Sequence, residues 1–320
     1  MIRMSILVTG GCGFIGSNFI NYYKGKHGRA VKIVNFDKLD YCSSSDGVEH
    51  DLLVVGNLQD AELILRVLKD NEIDTVIHFA AQTHVDNSFG NSIEFTKDNI
   101  LGTHTLLECC RVYGGIKKFI HISTDEVYGE VGLDHDGCSE KSLLNPTNPY
   151  AATKAGAEFI ARSYYYSFNM PIIITRGNNV YGPRQYPEKL IPKFIKYLME
   201  GKLLPIQGSG ETRRNFIHVL DVARAVDVIL NHGLVNQIYN IGTSNEFSVL
   251  EIAKKLVVAI KGPECDWKTL IEHVEDRNFN DYRYAIDSMA LRELGWSETV
   301  DFEEGLKNTI DWYSQTTASI

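Results

Sequence analysis

An α/β fold, with a doubly wound parallel sheet and a smaller, mixed C-terminal substrate-binding lobe, is what this sequence predicts. Three observations carry that expectation. Short apolar runs rich in β-branched residues alternate with stretches of helical periodicity, the pattern of strands and crossover helices in a sheet covered on both faces. A glycine-rich turn joins the first apolar run to the first helix. After Tyr181 glycines and prolines cluster and the alternation stops, so residues 1–177 are assigned to the sheet domain and 178–320 to the lobe.

In chain order, SILVT at 5–9 is a strand and 14–23 begins a helix; VKIVNFD at 31–37 is the next strand. A helix at 60–71, a strand at 75–80, a helix at 92–113 and a strand at 117–123 continue the alternation. Asn148-Pro149 opens a helix running to Phe168, because proline suits the first helical position and asparagine the cap before it. IIITR at 172–176 is a further strand. The lobe holds helices near 220–231, 249–260 and 301–315, and IYNIG at 238–242 is a candidate to return to the main sheet.

The 320 residues carry 32 basic and 41 acidic side chains, a formal charge of −9, which leaves no basic footprint for nucleic acid or an anionic membrane surface. At 44% hydrophobic and 23% charged the chain is neither disordered, collagen-like nor a disulfide scaffold. Cys12, Cys42, Cys109, Cys110, Cys138 and Cys265 form no CxxC pair or metal-type spacing with histidine, so they read as free thiols with no metal expected. The uncharged stretch 4–23 is broken by Gly10, Gly11, Gly13 and Gly16, unlike a signal peptide or membrane span. A cytoplasmic location is the expectation.

In TGGCGFIG, Gly10, Gly13 and Gly16 stand between a strand and a helix. Glycine there lets the backbone approach a pyrophosphate, whose charge sits on the helix N-terminus. Asp37 ends the next strand, where a ribose-binding carboxylate belongs and where it repels a 2′-phosphate. The sheet is therefore expected to be Rossmann-type and the cofactor NAD rather than NADP.

Tyr150 and Lys154 lie one helical turn apart in PYAATKA. An ammonium beside a phenol stabilises phenolate, so the pair is expected to lower the tyrosine pKa and make it a base for a substrate hydroxyl. HISTDEVYGE at 121–130 ends a strand in Ser123, Thr124, Asp125 and Glu126, at the sheet edge where open α/β folds build sites. Two adjacent carboxyls with pKa values pushed apart can act as acid and base, which an elimination of water requires.

Through TGGCGFIG, DKLDYC, HFAAQTHVD, STDEVYGE, NPYAATKA, NNVYGPRQYPEKLIPKF, LPIQG and RYAID the sequence resembles the NDP-glucose 4,6-dehydratases, in the nucleotide-sugar branch of the extended short-chain dehydrogenase/reductases. The resemblance covers nearly the whole chain. It implies that Tyr150, with Lys154 and with Thr124 on the sugar O4, removes the O4 proton while C4 gives a hydride to NAD. Glu126 then takes the C5 proton, Asp125 protonates the C6 hydroxyl as it leaves, and the hydride returns to C6. The same resemblance places NAD against Gly10, Gly13, Phe14, Ile15, Gly16, Asp37, Lys38, Asp40, Asn57, Leu58, Ala80, Ala81, Thr83, Tyr150 and Lys154. It places the nucleotide sugar against Thr124, Asn179, Lys189, Leu190, Arg214, Arg277 and Asn280, with arginine forks suited to a diphosphate. A homodimer through the helices near 92–113 and 149–168 is implied as well.

Three departures from the family pattern stand out. Gly56-Asn57-Leu58 has asparagine for the usual aspartate that meets the adenine amino group, although its carbonyl can still accept that bond. The stretch between Cys42 and Val54 is shorter than usual, and Asp276-Arg277 is followed by Asn278 rather than proline. THVDNSFGNSIEFTKDN and RNFND look most like UDP-glucose dehydratases of the plant type that begin rhamnose synthesis, which favours UDP-glucose over dTDP-glucose. A nucleotide-sugar 4-epimerase and a non-catalytic NAD-binding protein are the alternatives; both leave the Asp125-Glu126 doublet without a task.

Overall fold

The computed structural model describes residues 4–277 and 279–317, so the Asn278 departure lies outside the described residues. Strands β1 (Met4–Thr9) and β2 (Val31–Asp37) flank helix α1 (Phe14–His27). Strand β3 (Leu52–Val55), helix α2 (Ala61–Asp70) and strand β4 (Thr75–His78) follow. Asp60 caps α2 by accepting from Leu63 N at 3.0 Å. Next come short helices α3 (Val85–Gly90) and α4 (Ser92–Phe95), a π-helical turn over Thr96–Leu101, helix α5 (Gly102–Tyr113) and strand β5 (Lys118–Thr124).

Helix α6 (Pro149–Phe168) leads to β6 (Ile172–Gly177) and the short strand β7 (Asn179–Tyr181). The remainder is α7 (Leu190–Met199), β8 (Leu204–Gln207), β9 (Arg213–His218), α8 (Val219–His232), β10 (Ile238–Ile241), β11 (Glu246–Ser248), α9 (Val249–Lys261), β12 (Ile271–Val274), α10 (Met289–Glu293) and α11 (Phe302–Thr317).

Seven strands form one parallel sheet in the order β3-β2-β1-β4-β5-β6-β10. Strand order reverses between β1 and β4, the place where such a sheet opens a crevice at its carboxyl edge. The two faces have separate cores. Ile6, Val8, Ile33 and Ile120 pack with Phe19 and Ile20 of α1, whereas Leu7, Val34 and Phe119 pack with Leu68, Leu107 and Ala161 of α2, α5 and α6. Alternate residues of each strand are therefore apolar on both sides, as a doubly covered sheet demands.

The chain returns to this sheet after residue 178. Val222, Val226 and Ile229 of α8 share the α1 core, and β10 pairs with β6. A cut at 177/178 would separate them. The lobe keeps a third core of its own, including Phe194, Leu204, Leu256 and Leu306. The single helix expected at 92–113 is instead two helices joined by the π-helical turn. That turn carries Asn99, buried, whose amide accepts from Gln82 N (2.8 Å) and donates to Gln82 O (3.1 Å) and Thr153 Oγ1 (2.9 Å). A π-turn often marks a functional site in this way. No helix among the described residues is long and apolar enough to cross a membrane.

Candidate active site

At the carboxyl edge of β1, β2, β4, β5 and β6 a cavity of about 490 Å³ runs between sheet and lobe. Its first wall is the glycine turn. Gly10 has φ +70°, and a Cβ on it would stand 2.6 Å from Ala80 N; a Cβ on Gly16 would stand 2.3 Å from Gly10 O. Only glycine allows this closeness. The N-terminus of α1 has no side-chain cap and no acidic residue in its first turn, so its free N–H groups and dipole are left for an anion.

Asp37 sits beside that turn, 5% exposed, with Oδ2 accepting from Cys12 N and Oδ1 from Leu39 N, each at 2.9 Å. Each oxygen keeps a lone pair for a further donor. Lys38 Nζ bridges Asp40 (2.9 Å) and Asp98 (2.7 Å), and Gln82 Nε2 donates to the same two carboxylates. Asn57 Oδ1 already accepts from Gln59 N at 2.9 Å, which holds its carbonyl in one orientation with a lone pair free.

The second wall joins β5 to α6. Thr124 ends β5, and Asp125 and Glu126 occupy the 3-10 turn Asp125–Tyr128. Asn148 caps α6 by accepting from Ala151 N (2.8 Å), and its Nδ2 donates to Glu126 Oε2 (3.1 Å). Tyr150 and Lys154 project from the first turns of α6, both buried, and Lys154 Nζ donates to Ile122 O at 2.6 Å. Thr124 Oγ1 donates to Asp125 Oδ1 (3.3 Å), and Asn178 Nδ2 donates to Asp125 Oδ2 (2.7 Å).

Burial, and after it the Glu126 charge, push Asp125 up to about 7, while Glu126 is raised by burial against the opposing bond from Asn148. Burial brings Lys154 down to about 8, opposed by Glu158. One expectation is corrected here: Tyr150 is raised rather than lowered, first by burial and then by the Glu126 carboxylate. The ammonium expected to relieve it is spent on the Ile122 carbonyl and is itself weakened by desolvation.

The third wall belongs to the lobe. Lys189 Nζ donates to Thr83 O (2.7 Å), and Arg277 Nε lies 3.1 Å from Asp86 Oδ1. Arg214 donates to Arg213 O (2.7 Å) and Asn280 Oδ1 (3.2 Å) and stacks on Tyr284, 4.6 Å from the ring centre.

Gly10, Gly13, Phe14, Ile15, Gly16, Asp37, Lys38, Asp40, Asn57, Leu58, Ala80, Ala81, Thr83, Thr124, Glu126, Tyr150, Lys154, Asn179, Lys189, Leu190, Arg214, Arg277 and Asn280 all line this cavity. Asp125 does not; it is 2% exposed and sits behind Thr124 and Asn178. Asn178 and Asn148 are the site residues that sequence reasoning missed, each defined by a tertiary hydrogen bond, whereas Gln82 lies in the loop Ala80 to Thr83 expected against NAD and lines the cavity with it. Only Asn148 carried a local signal, as the residue before Pro149.

A parallel sheet in this order, a glycine turn at its switch point and a Tyr-Lys pair on the helix after β5 define a Rossmann-type protein of the extended short-chain dehydrogenase/reductase class. The chain belongs to the family described as GDP-mannose 4,6 dehydratase, whose model matches residues 7–309. It is 51% identical over 318 residues to an Arabidopsis thaliana trifunctional UDP-glucose 4,6-dehydratase/UDP-4-keto-6-deoxy-D-glucose 3,5-epimerase/UDP-4-keto-L-rhamnose-reductase, covering 97% of this chain and 47% of the relative. The chain thus spans about half the length of that plant relative. It is 44% identical to the dTDP-D-glucose 4,6-dehydratase of Dictyostelium discoideum, over 96% of this chain and 81% of that protein. A crystal structure of dTDP-glucose 4,6-dehydratase from Streptomyces venezuelae with NAD bound superposes with a TM-score of 0.92 at 37% identity, covering 99% and 98% of the two chains.

Proposed function

We propose that this chain is an NAD-dependent NDP-glucose 4,6-dehydratase, a hydro-lyase that acts on UDP-glucose in preference to dTDP-glucose and releases the 4-keto-6-deoxy nucleotide sugar and water. One observation carries the reading. Two adjacent carboxyls, Asp125 buried and Glu126 half-buried, both raised above the ordinary range, stand opposite a Tyr-Lys pair at the edge of a cavity lined for a dinucleotide. NAD, when bound, supplies a positively charged hydride acceptor that hands the same hydride back.

The residues fit that cofactor. The uncapped N-terminus of α1 would receive the pyrophosphate, Asp37 would accept from ribose hydroxyls and disfavour a 2′-phosphate, and Asn57 Oδ1 would accept from the adenine amino group. On the sugar, Thr124 holds O4 and Tyr150 takes its proton; because Tyr150 is raised by burial and Lys154 is held on the Ile122 carbonyl, the positive charge that bound NAD would add beside Lys154 would be needed to bring the phenol down. The 4-ketone acidifies C5–H, Glu126 removes that proton, and Asp125, held neutral by burial behind Thr124, supplies the proton for the departing C6 hydroxyl through the Thr124 hydroxyl. Arg214, Arg277 and Lys189 exchange their present acceptors for diphosphate oxygens, while Asn179, Leu190 and Asn280 shape the rest of the sugar-nucleotide site.

The UDP preference rests on the likeness of 83–99 and 277–281 to the plant proteins. A 4-epimerase would leave Asp125 and Glu126 idle, so the dehydratase is the better reading. A homodimer through α5 and α6 and a cytoplasmic setting complete it. The test is incubation of the purified protein with UDP-glucose and, separately, dTDP-glucose, following the alkali-induced absorbance of the 4-keto-6-deoxy product. Turnover of neither sugar overturns the reading, and the ratio of specificity constants decides the base.

A further inference from the structure

Asn178 follows β6, is 4% exposed, and stands between two groups that leave its amide no choice of orientation. Its Oδ1 accepts from Thr243 N at 3.0 Å. A backbone N–H can only donate, so the side-chain nitrogen must be the atom that faces Asp125 Oδ2 at 2.7 Å. The backbone of Asn178 is itself tied to the end of β10, through N to Ile241 O at 3.1 Å. The return of the chain to the sheet therefore sets where this amide points.

An amide N–H cannot accept, so Oδ2 has to present a lone pair and any proton on Asp125 belongs on Oδ1, the oxygen that meets the Thr124 hydroxyl. We propose that Asn178 is a positioning residue for the elimination: it keeps the acidic proton of Asp125 on Oδ1 and tightens its own hydrogen bond on Oδ2 as the carboxylate forms. The inference deepens the dehydratase reading and rests on it.

The proton and electron count closes. Glu126 takes the C5 proton, and the C5–H pair becomes the second C5–C6 bond. The C6–O bond breaks with its pair on oxygen; because Asp125 lies behind Thr124, the Thr124 hydroxyl passes its proton to that oxygen and takes the Oδ1 proton of Asp125, and the oxygen leaves as water. Asp125 ends as carboxylate with Oδ2 already met by a donor, a bond that strengthens when its acceptor becomes charged. The charges acting on Asp125 are Glu126, which raises it, and Arg214 of β9, which lowers it; Tyr150 of α6 and Cys138 feel it in turn.

The test compares Asn178→Leu, which removes the donor at similar size, with Asn178→Ser, which keeps a hydroxyl donor. For Asn178→Leu we expect kcat to fall about 10- to 100-fold, the effect of losing one hydrogen bond to a charged group. KM should change little and the reduced-cofactor signal of C4 oxidation should persist, while the alkaline limb of kcat moves upward because the carboxylate has lost a donor. Asn178→Ser should recover most of the rate. Infrared titration of the Asp125 carboxyl, assigned with Asp125→Asn, should show the same upward move without any turnover. Unchanged kcat with unchanged carboxyl titration overturns the proposal, as does loss of C4 oxidation in step with elimination. Wild-type protein that makes no product overturns the dehydratase reading instead, and the infrared titration then still decides whether Asn178 sets the proton on Asp125.

Discussion

Asn148 holds Glu126 and caps α6 with the same side chain: its Nδ2 donates to Glu126 Oε2 at 3.1 Å while its Oδ1 accepts from Ala151 N at 2.8 Å. The capping bond fixes the amide, since Ala151 N can only donate. The helix that delivers Tyr150 and Lys154 is thereby coupled to the turn that delivers Asp125 and Glu126, and the two halves of the site cannot drift apart independently.

Asn148→Asp tests that double role. Aspartate caps a helix as well as asparagine does, but here it sets an anion against Glu126 and removes its donor. Because Asn148 is buried, the new anion also costs stability at neutral pH: we expect Tm to fall by several degrees, a loss that shrinks in acid as the pair takes up a proton, and product formation to drop by roughly 10-fold or more. Asn148→Ala should instead lose about 1 kcal/mol of cap energy as well. Calorimetry beside the product assay separates them; a fully active aspartate variant contradicts the coupling.

Glu126→Gln keeps the donors and acceptors of the site but removes the base at C5. C4 oxidation should survive, visible as reduced cofactor, while 4-keto-6-deoxy product falls about 100-fold or more. Normal product from this variant means that another group takes the C5 proton.

Gly16→Ala puts a methyl 2.3 Å from Gly10 O, backbone that cannot yield without opening the turn. NAD affinity, measured by calorimetry, is expected to drop roughly 10- to 100-fold, from about 1–3 kcal/mol of forced displacement. Unaltered affinity would show that the turn does not approach the pyrophosphate.

Much of the sheet was legible because its signals are local. VKIVNFD is bounded by turn residues and matches β2 residue for residue, and Asn148-Pro149 announces α6 with both its cap and its first position. The helix α7 and the strand β3 were not foreseen, the first lying among the glycines and prolines after Tyr181, the second only four residues long. The break in the helix at 92–113 was hidden because Asn99 earns its place by bonding Gln82 and Thr153, neither of which is its neighbour in sequence. The site followed the same division. Thr124, Asp125, Glu126, Tyr150 and Lys154 could be read from two short motifs, but Asn178 sits in an Asn-Asn pair whose members differ only in what the fold sets against them. The raised Tyr150 came from the same source, since the distance to Glu126 is a property of the tertiary structure.

Leu101 and Val112 of the α5 region and Phe159 and Tyr166 of α6 are 46%, 55%, 57% and 64% exposed, an apolar surface on the two helices expected to form a homodimer. Sedimentation should find a dimer for the wild type and a monomer for Phe159→Glu with Tyr166→Glu. A wild-type monomer at micromolar concentration removes the expectation.

Asp125 makes stability and activity depend on pH in the same direction. Its folded-state pKa, about 7, lies above the ordinary carboxyl range near 4, so the neutral form is the one the fold prefers. Stability from this group is complete below the unfolded value and is lost as pH rises through about 7, because above that the fold must bury a charge beside Glu126. A general acid is likewise competent only while protonated, so kcat should decline through the same range. Asp125→Asn removes the titration: its Tm should match wild type below about pH 4 and exceed it by a few degrees at pH 8, while product formation falls about 100-fold or more at every pH. An asparagine variant less stable than wild type at pH 8, or a wild-type rate that climbs steadily through neutrality, contradicts the assignment of Asp125 as the buried acid.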